Sequence, residues 1–177
     1  AALYASFPLA LDTTTLAPED VAWKVQRLSG IFQLAAMGSG YDVIINRGML
    51  RHLRAELEDR KLVAPFVIIS DDHVAPVYAR PIEETLAPMG AVSSIVLKAG
   101  EASKNLRTVE SIYSDLFNSK MERRGTLLAL GGGVVTDIAG FAAATYLRGI
   151  PWVALPTSLL GMVDAAIGGK TGVHRPA

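Results

Sequence analysis

Asp137, Arg148, Thr157, Ser158, Asp164 and Lys170 are polar residues set into the otherwise apolar stretch from Gly131 to His174. That stretch opens on Gly131-Gly132-Gly133, where a strand-like pattern gives way to a helical one, and it closes on Gly168-Gly169-Lys170-Thr171. Glycine at a strand-to-helix turn lets the backbone bend sharply and lets a ligand approach the main chain. Free amides and the positive end of the helix dipole then favour a pyrophosphate. The combination points to a phosphorylated ligand or a dinucleotide. For the three glycines alone, a turn that binds nothing is the plainer alternative. The G-x-G-x-x-G fingerprint is absent. Gly168-Gly169-Lys170-Thr171 ends like a phosphate-binding P-loop but has Asp164 where that loop needs its first glycine.

The other charged residues each admit two readings. Asp137, in the first helical turn, either complements the dipole or faces the ligand. Asp164 interrupts the apolar run Leu159–Ile167, so it is either buried and paired or aimed at a ligand. Arg148, at the start of a strand, is either a solvated helix end or a ligand-facing cation. Lys98, Glu101 and Lys104 follow a predicted strand, where open α/β sheets bind ligands and where solvated charged loops are also ordinary. Asp71 and Asp72 end another strand at the same level, where an acid can accept ribose hydroxyls. His52, His73 and His174 show no zinc-site spacing, and no nucleophile elbow is visible.

These residues must be positioned by alternating elements. Tyr41–Asn46, Phe66–Ser70, Ser94–Leu97, Thr126–Leu130 and Trp152–Leu155 read as short β-branched or apolar strands. Met49–Arg60, Val74–Met89 (interrupted by Pro76 and Pro81) and Asn105–Lys120 read as helices, and another begins near Val134 or Val135. Such alternation predicts an α/β fold, a Rossmann-like layered parallel sheet. Ile31–Ala36 and Tyr41 onward, joined by Met37-Gly38-Ser39-Gly40, predict an edge β-hairpin. Leu3–Leu11 has no partner in this alternation, and Pro18-Glu19-Asp20 starts an amphipathic helix running through Leu28.

Half of the 177 residues are hydrophobic, and seventeen basic residues balance seventeen acidic ones. This suffices for one domain with a real core. The balance argues against a nucleic-acid partner, which needs a basic face. The absence of cysteine excludes disulfides and thiolate metal sites. The apolar run Ile138–Leu147 is too short for a membrane span of roughly 20 residues and ends in Arg148. With no recognisable signal peptide, a cytoplasmic protein is expected.

From about Tyr41 onward the sequence resembles 3-dehydroquinate synthase. The resemblance is carried by Gly131–Asp137, Phe141–Gly149, Pro156–Leu160 and Asp164–Val173, and the order and spacing of these four motifs make it specific. It implies a NAD-binding α/β domain over residues 31–177. It also implies the conversion of a seven-carbon keto acid phosphate (DAHP) to 3-dehydroquinate with release of phosphate. NAD is then catalytic and regenerated each turnover.

On this resemblance Gly132, Gly133, Val134, Val135, Thr136 and Asp137 lie along the cofactor. Gly132, Gly133 and Asp137 hold its pyrophosphate and nicotinamide ribose. Asp71, Glu101 and Lys104 face the adenosine half, and Thr157 and Ser158 the nicotinamide end. Asp164 and Lys170 face the substrate, with Lys170 also near the cofactor, and Arg148 reaches the substrate phosphate of a neighbouring subunit in a homodimer. Two departures are mild: Thr157-Ser158 replaces a Thr-Thr pair, and Thr136 replaces a glycine.

The family's metal site, a Glu and two His holding zinc or another divalent metal, belongs to a helical C-terminal domain beyond this sequence, so no metal ligand is assigned here. The resemblance therefore implies a fragment with weak or no NAD binding and no turnover by itself. Residues 1–28 resemble the closing strand and helix of shikimate kinase, as the tail of a preceding domain or a linker, without that kinase's P-loop. Alternatives are a related sugar phosphate cyclase, a metal-dependent polyol dehydrogenase, or a catalytically silent NAD-binding module.

Overall fold

A computed structural model describes residues 14–34 and 40–174. The expected strand-like Leu3–Leu11 and most of the Met37–Gly40 turn lie outside the described residues. The chain divides into two compact units, Ala1–Met49 and Leu50–Ala177. In the first, helix α1 (Pro18–Ser29) begins on a proline with Glu19 and Asp20 in its first turn, as the sequence predicts. Strands β1 (Ile31–Leu34) and β2 (Tyr41–Ile44) pair antiparallel, Ile31 opposite Ile44. This hairpin is a two-stranded sheet of its own.

The second unit holds the parallel sheet. Strands β3 (Val63–Asp71), β4 (Val92–Leu97), β5 (Gly125–Gly131) and β6 (Trp152–Pro156) lie in the order β4-β3-β5-β6, all parallel. Helices α2 (Leu53–Asp59), α3 (Ala75–Leu86), α4 (Leu106–Asn118) and α5 (Gly133–Thr145) connect and cover it. Every residue of β5 is buried. Leu127 and Ala129 enter one core with α4 and α5, beside Val67, Ile69, Ile112 and Ile138. Leu128 and Leu130 enter the opposite core with α2 and α3, beside Phe66, Ile68, Ile82 and Leu57. A strand with both faces covered reads as a continuous apolar run, which is why Thr126–Leu130 shows no alternation.

From β3 the chain moves one way to β4 through α3. It then crosses back past β3 to β5 through α4 and continues to β6 through α5. Right-handed crossovers put α3 on one face and α4 and α5 on the other. The strand order therefore reverses between β3 and β5, the point at which open α/β sheets hold ligands beyond their carboxyl ends. Among the described residues no helix is long and apolar enough to cross a membrane.

Candidate functional site

The carboxyl edge gathers most of the residues singled out in the sequence. Asp71 ends β3, Glu101 and Lys104 follow β4, Gly131 ends β5, and Thr157-Ser158 follow β6. Between β5 and α5 the chain turns so tightly that a Cβ on Gly131 would lie 2.6 Å from a Val135 methyl. A Cβ on Gly133 would lie 3.2 Å from the Ala165 Cβ, and one on Gly132 would lie 3.5 Å from Ser158 Oγ. The glycines thus let the start of α5 sit directly against Ser158 and Ala165. No side chain caps the α5 N-terminus, so first-turn amides remain for an anion. The opposite wall is fixed by Thr157 N–H donating to the Gly131 carbonyl (2.9 Å) and Gly161 N–H donating to Ser158 Oγ (3.1 Å).

The six residues of the glycine-led run play different parts. Val135 and Thr136 are buried. Thr136 donates its amide to the Gly132 carbonyl (3.1 Å) and its hydroxyl to the Gly133 carbonyl (3.0 Å), so its donors serve the helix. Val134 packs on the core. Asp137 instead faces outward and pairs with Lys104, Nζ to Oδ2 2.6 Å, both side chains only 18% exposed. Lys104 Nζ also lies 3.8 Å from Glu101 Oε1.

Asp71 Oδ1 accepts the backbone amides of His73 and Val74, both at 2.9 Å, and so shapes the turn into α3. Asp72 accepts from Ala99 N–H (2.9 Å) and Lys98 Nζ (3.1 Å), bonds that hold its carboxyl below the usual range. Asp71, Asp72 and His73 are the one group among the described residues whose ligand atoms lie close enough to share a cation, within 4.8 Å of one another. Both carboxylates are already engaged by loop amides.

Asp164 resolves its two readings in a third way. It is paired without being buried: Lys170 Nζ contacts Asp164 Oδ1, and the side chains are 61% and 58% exposed. The apolar run around Asp164 forms a widened, π-helical turn over Gly161–Ala165, in which Ala166 N–H reaches the Gly161 carbonyl at 3.0 Å. Leu159 and Leu160 before this turn and Met162 and Val163 on it are between 50% and 76% exposed.

Arg148 stands apart. It lies past the far end of α5, and a helix of that length spans roughly 20 Å, so Arg148 cannot reach the glycine turn of its own chain. Leu147 and Arg148 both adopt positive φ (49° and 66°), a strained corner that leaves the arginine exposed.

Sequence reasoning missed His174. Its Nε2 lies 2.6 Å from Glu101 Oε1, and its amide donates to the Lys104 carbonyl at 2.8 Å. This contact, then Lys104, lowers the Glu101 carboxyl below its ordinary range. Neither spacing nor periodicity links residues so far apart in the chain.

A family model described as 3-dehydroquinate synthase N-terminal matches residues 94–177. The 3-dehydroquinate synthase of Picosynechococcus sp. is 43% identical over 139 residues, 78% of this chain and 38% of that protein. That of Streptococcus suis is 45% identical over 138 residues, 77% of this chain and 39% of that protein. The solved structure of ValA, a 2-epi-5-epi-valiolone synthase from Streptomyces hygroscopicus with NAD+ and Zn2+ bound, matches with TM-score 0.68 at 35% identity, over 81% of this chain and 40% of that one. A 2-deoxy-scyllo-inosose synthase complexed with carbaglucose-6-phosphate, NAD+ and Co2+ shares the fold, with TM-score 0.76 at 23% identity over 82% of this chain and 39% of that one. The chain thus spans about two fifths of the length of the curated relatives it matches.

Proposed function

The chain belongs to the 3-dehydroquinate synthase family, and from that premise we propose that residues 31–177 are the NAD-holding part of a cytoplasmic, homodimeric enzyme converting DAHP to 3-dehydroquinate and phosphate. The observation that carries this reading is the convergence of Asp71, Gly131–Asp137, Thr157-Ser158, Glu101 and Lys104 on the carboxyl edge, at the crevice between β3 and β5. The glycine-led start of α5, without a side-chain cap, fits a pyrophosphate approaching its first amides.

In that reading NAD supplies reversible hydride acceptance from a ring carbon of the substrate. The chain's own residues do the holding. The amides of Gly132 and Gly133 neutralise phosphate charge. Asp137 and Asp71 accept ribose hydroxyls, and Glu101 and Lys104 flank the adenosine half. Thr157 and Ser158 bound the nicotinamide end. Asp164 and Lys170, exposed and already paired, present an acid and an ammonium to the substrate. Arg148 serves a neighbouring copy, which its distance from the glycine turn supports. The divalent metal is assigned to residues outside this chain, and the N-terminal piece through residue 28 to the tail of a kinase-like domain or a linker.

Titration of the 15N-labelled chain with NAD into the millimolar range tests the reading. Shifts of the Gly132, Gly133 and Asp137 amides, with no phosphate released from DAHP, are expected. Shifts confined to surfaces away from the carboxyl edge overturn it. The likeness to ValA favours one second reading, a cyclase acting on a different sugar phosphate. Turnover by the whole enzyme of sedoheptulose 7-phosphate but not DAHP selects that reading.

A further inference from the structure

The segment after Lys170 is stitched to the candidate site at every step. The Thr171 methyl packs on Gly140, where a Cβ would collide with it and with the Trp152 ring. Gly172 N–H donates to the Asp137 carbonyl at 3.4 Å, and His174 N–H to the Lys104 carbonyl at 2.8 Å. His174 also forms a parallel bridge with Asn105. At the end of this run the His174 ring closes a relay of contacts: Nε2 to Glu101 Oε1 at 2.6 Å, Glu101 Oε1 to Lys104 Nζ at 3.8 Å, and Lys104 Nζ to Asp137 Oδ2 at 2.6 Å.

The two ends of this relay differ in exposure. Lys104 and Asp137 are largely shielded, whereas Glu101 and His174 are each 60% exposed. The Glu101 carboxylate lies on the solvent side of Lys104, and without a partner it would be free to swing into water. His174 is the group that restrains it. The same ring anchors a main chain that carries Lys170 four residues earlier, so one side chain constrains both lysines of the site.

We propose that His174 is a positioning residue: with its ring on Glu101 it holds Lys104 against Asp137 and clasps the Lys170–His174 segment over the N-terminal half of α5. The positioning of Lys104 matters for ligand binding only on the functional reading given above. The clasp itself does not depend on that reading.

Amide exchange at Gly172 and His174, measured without any cofactor, reads the clasp. His174→Ala speeds exchange at both by about threefold or more, the loss of one hydrogen bond to a charged group at a partly solvated site. His174→Gln, which keeps a donor able to reach Glu101, restores the original rates and keeps the test open if the alanine variant folds poorly. Unchanged exchange in His174→Ala, or no rescue in His174→Gln, overturns the clasp. In parallel, His174→Ala weakens NAD binding by about three- to tenfold, and His174→Gln recovers it. Faster exchange with unaltered NAD affinity overturns the positioning role. If the unsubstituted chain binds no NAD measurably, the affinity comparison is made with the same substitutions in the whole enzyme, where no NAD binding would sink the cofactor reading, and the exchange rates still decide the clasp.

Discussion

The two walls of the candidate site are built by opposite means. On one side, β5 and the first turn of α5 form a close-packed corner: every residue of the strand is buried, and Gly131 has no room for a methyl group. On the other, the widened turn Gly161–Ala165 and the two leucines before it expose four large apolar side chains and an acid paired in the open with Lys170. The first wall is fixed by packing before any ligand arrives, which suits the pyrophosphate cradle proposed above. The second is tied down at Thr157 and Gly161 by hydrogen bonds, and its exposed side chains place it nearer the low-stability end of the fold.

The largest test of this difference is truncation on either wall. Leu127→Ala removes a fully buried side chain and is expected to cost about 2–5 kcal/mol. Leu160→Ala, 67% exposed, is expected to stay within about 0.5 kcal/mol. Urea denaturation of the two variants measures both, and equal losses would erase the distinction.

The lysines give a smaller contrast. Lys104→Met leaves the shielded Asp137 without its partner and should cost about 1–3 kcal/mol. Lys170→Met breaks an exposed pair and should cost under about 1 kcal/mol. Thermal midpoints that fall further for Lys170→Met contradict the ranking.

The smallest effect is in acid. Glu101 is held below its ordinary value of 4.5, chiefly by the hydrogen bond from His174. A depressed carboxyl contributes stability that is fully present above the unfolded value and lost as pH falls through the folded one. Amide protection at His174, the exchange rate relative to that of the unfolded chain at the same pH, should therefore fall progressively as the pH drops below 4.5. Glu101→Gln should abolish that acid limb, and its persistence would place the cause elsewhere.

Much of the fold was legible because it is local. The apolar runs of β3 to β6 announced themselves, and Asn105 capped α4 as its type predicts, accepting Thr108 N–H at 3.0 Å. The boundaries were less legible. β3 begins at Val63, ahead of Pro65, with a register shift against β5 that absorbs the missing donor. α3 runs unbroken through Pro81, which lies only two turns from its start.

At the site, residue types and order were readable and partners were not. Lys104 with Asp137 and His174 with Glu101 are settled by how distant segments dock, and Lys170 with Asp164 by the turn between them. Thr136 shows the reverse: a motif position whose donors turn inward to its own helix. The left-handed corner at Leu147–Arg148 is equally invisible, since neither residue type favours it.

The contact between Gly140 and Thr171 has a consequence for how the molecule is made. The middle of α5 is covered by a residue that emerges from synthesis well after the helix, and well after β6. Closing such a long loop is entropically slow compared with coiling α5 itself. The glycine corner can thus form while the nascent chain is still growing. The surface of α5 that carries Asp137 is sealed last, and until then the small-residue groove at Gly140 is open to any other apolar segment.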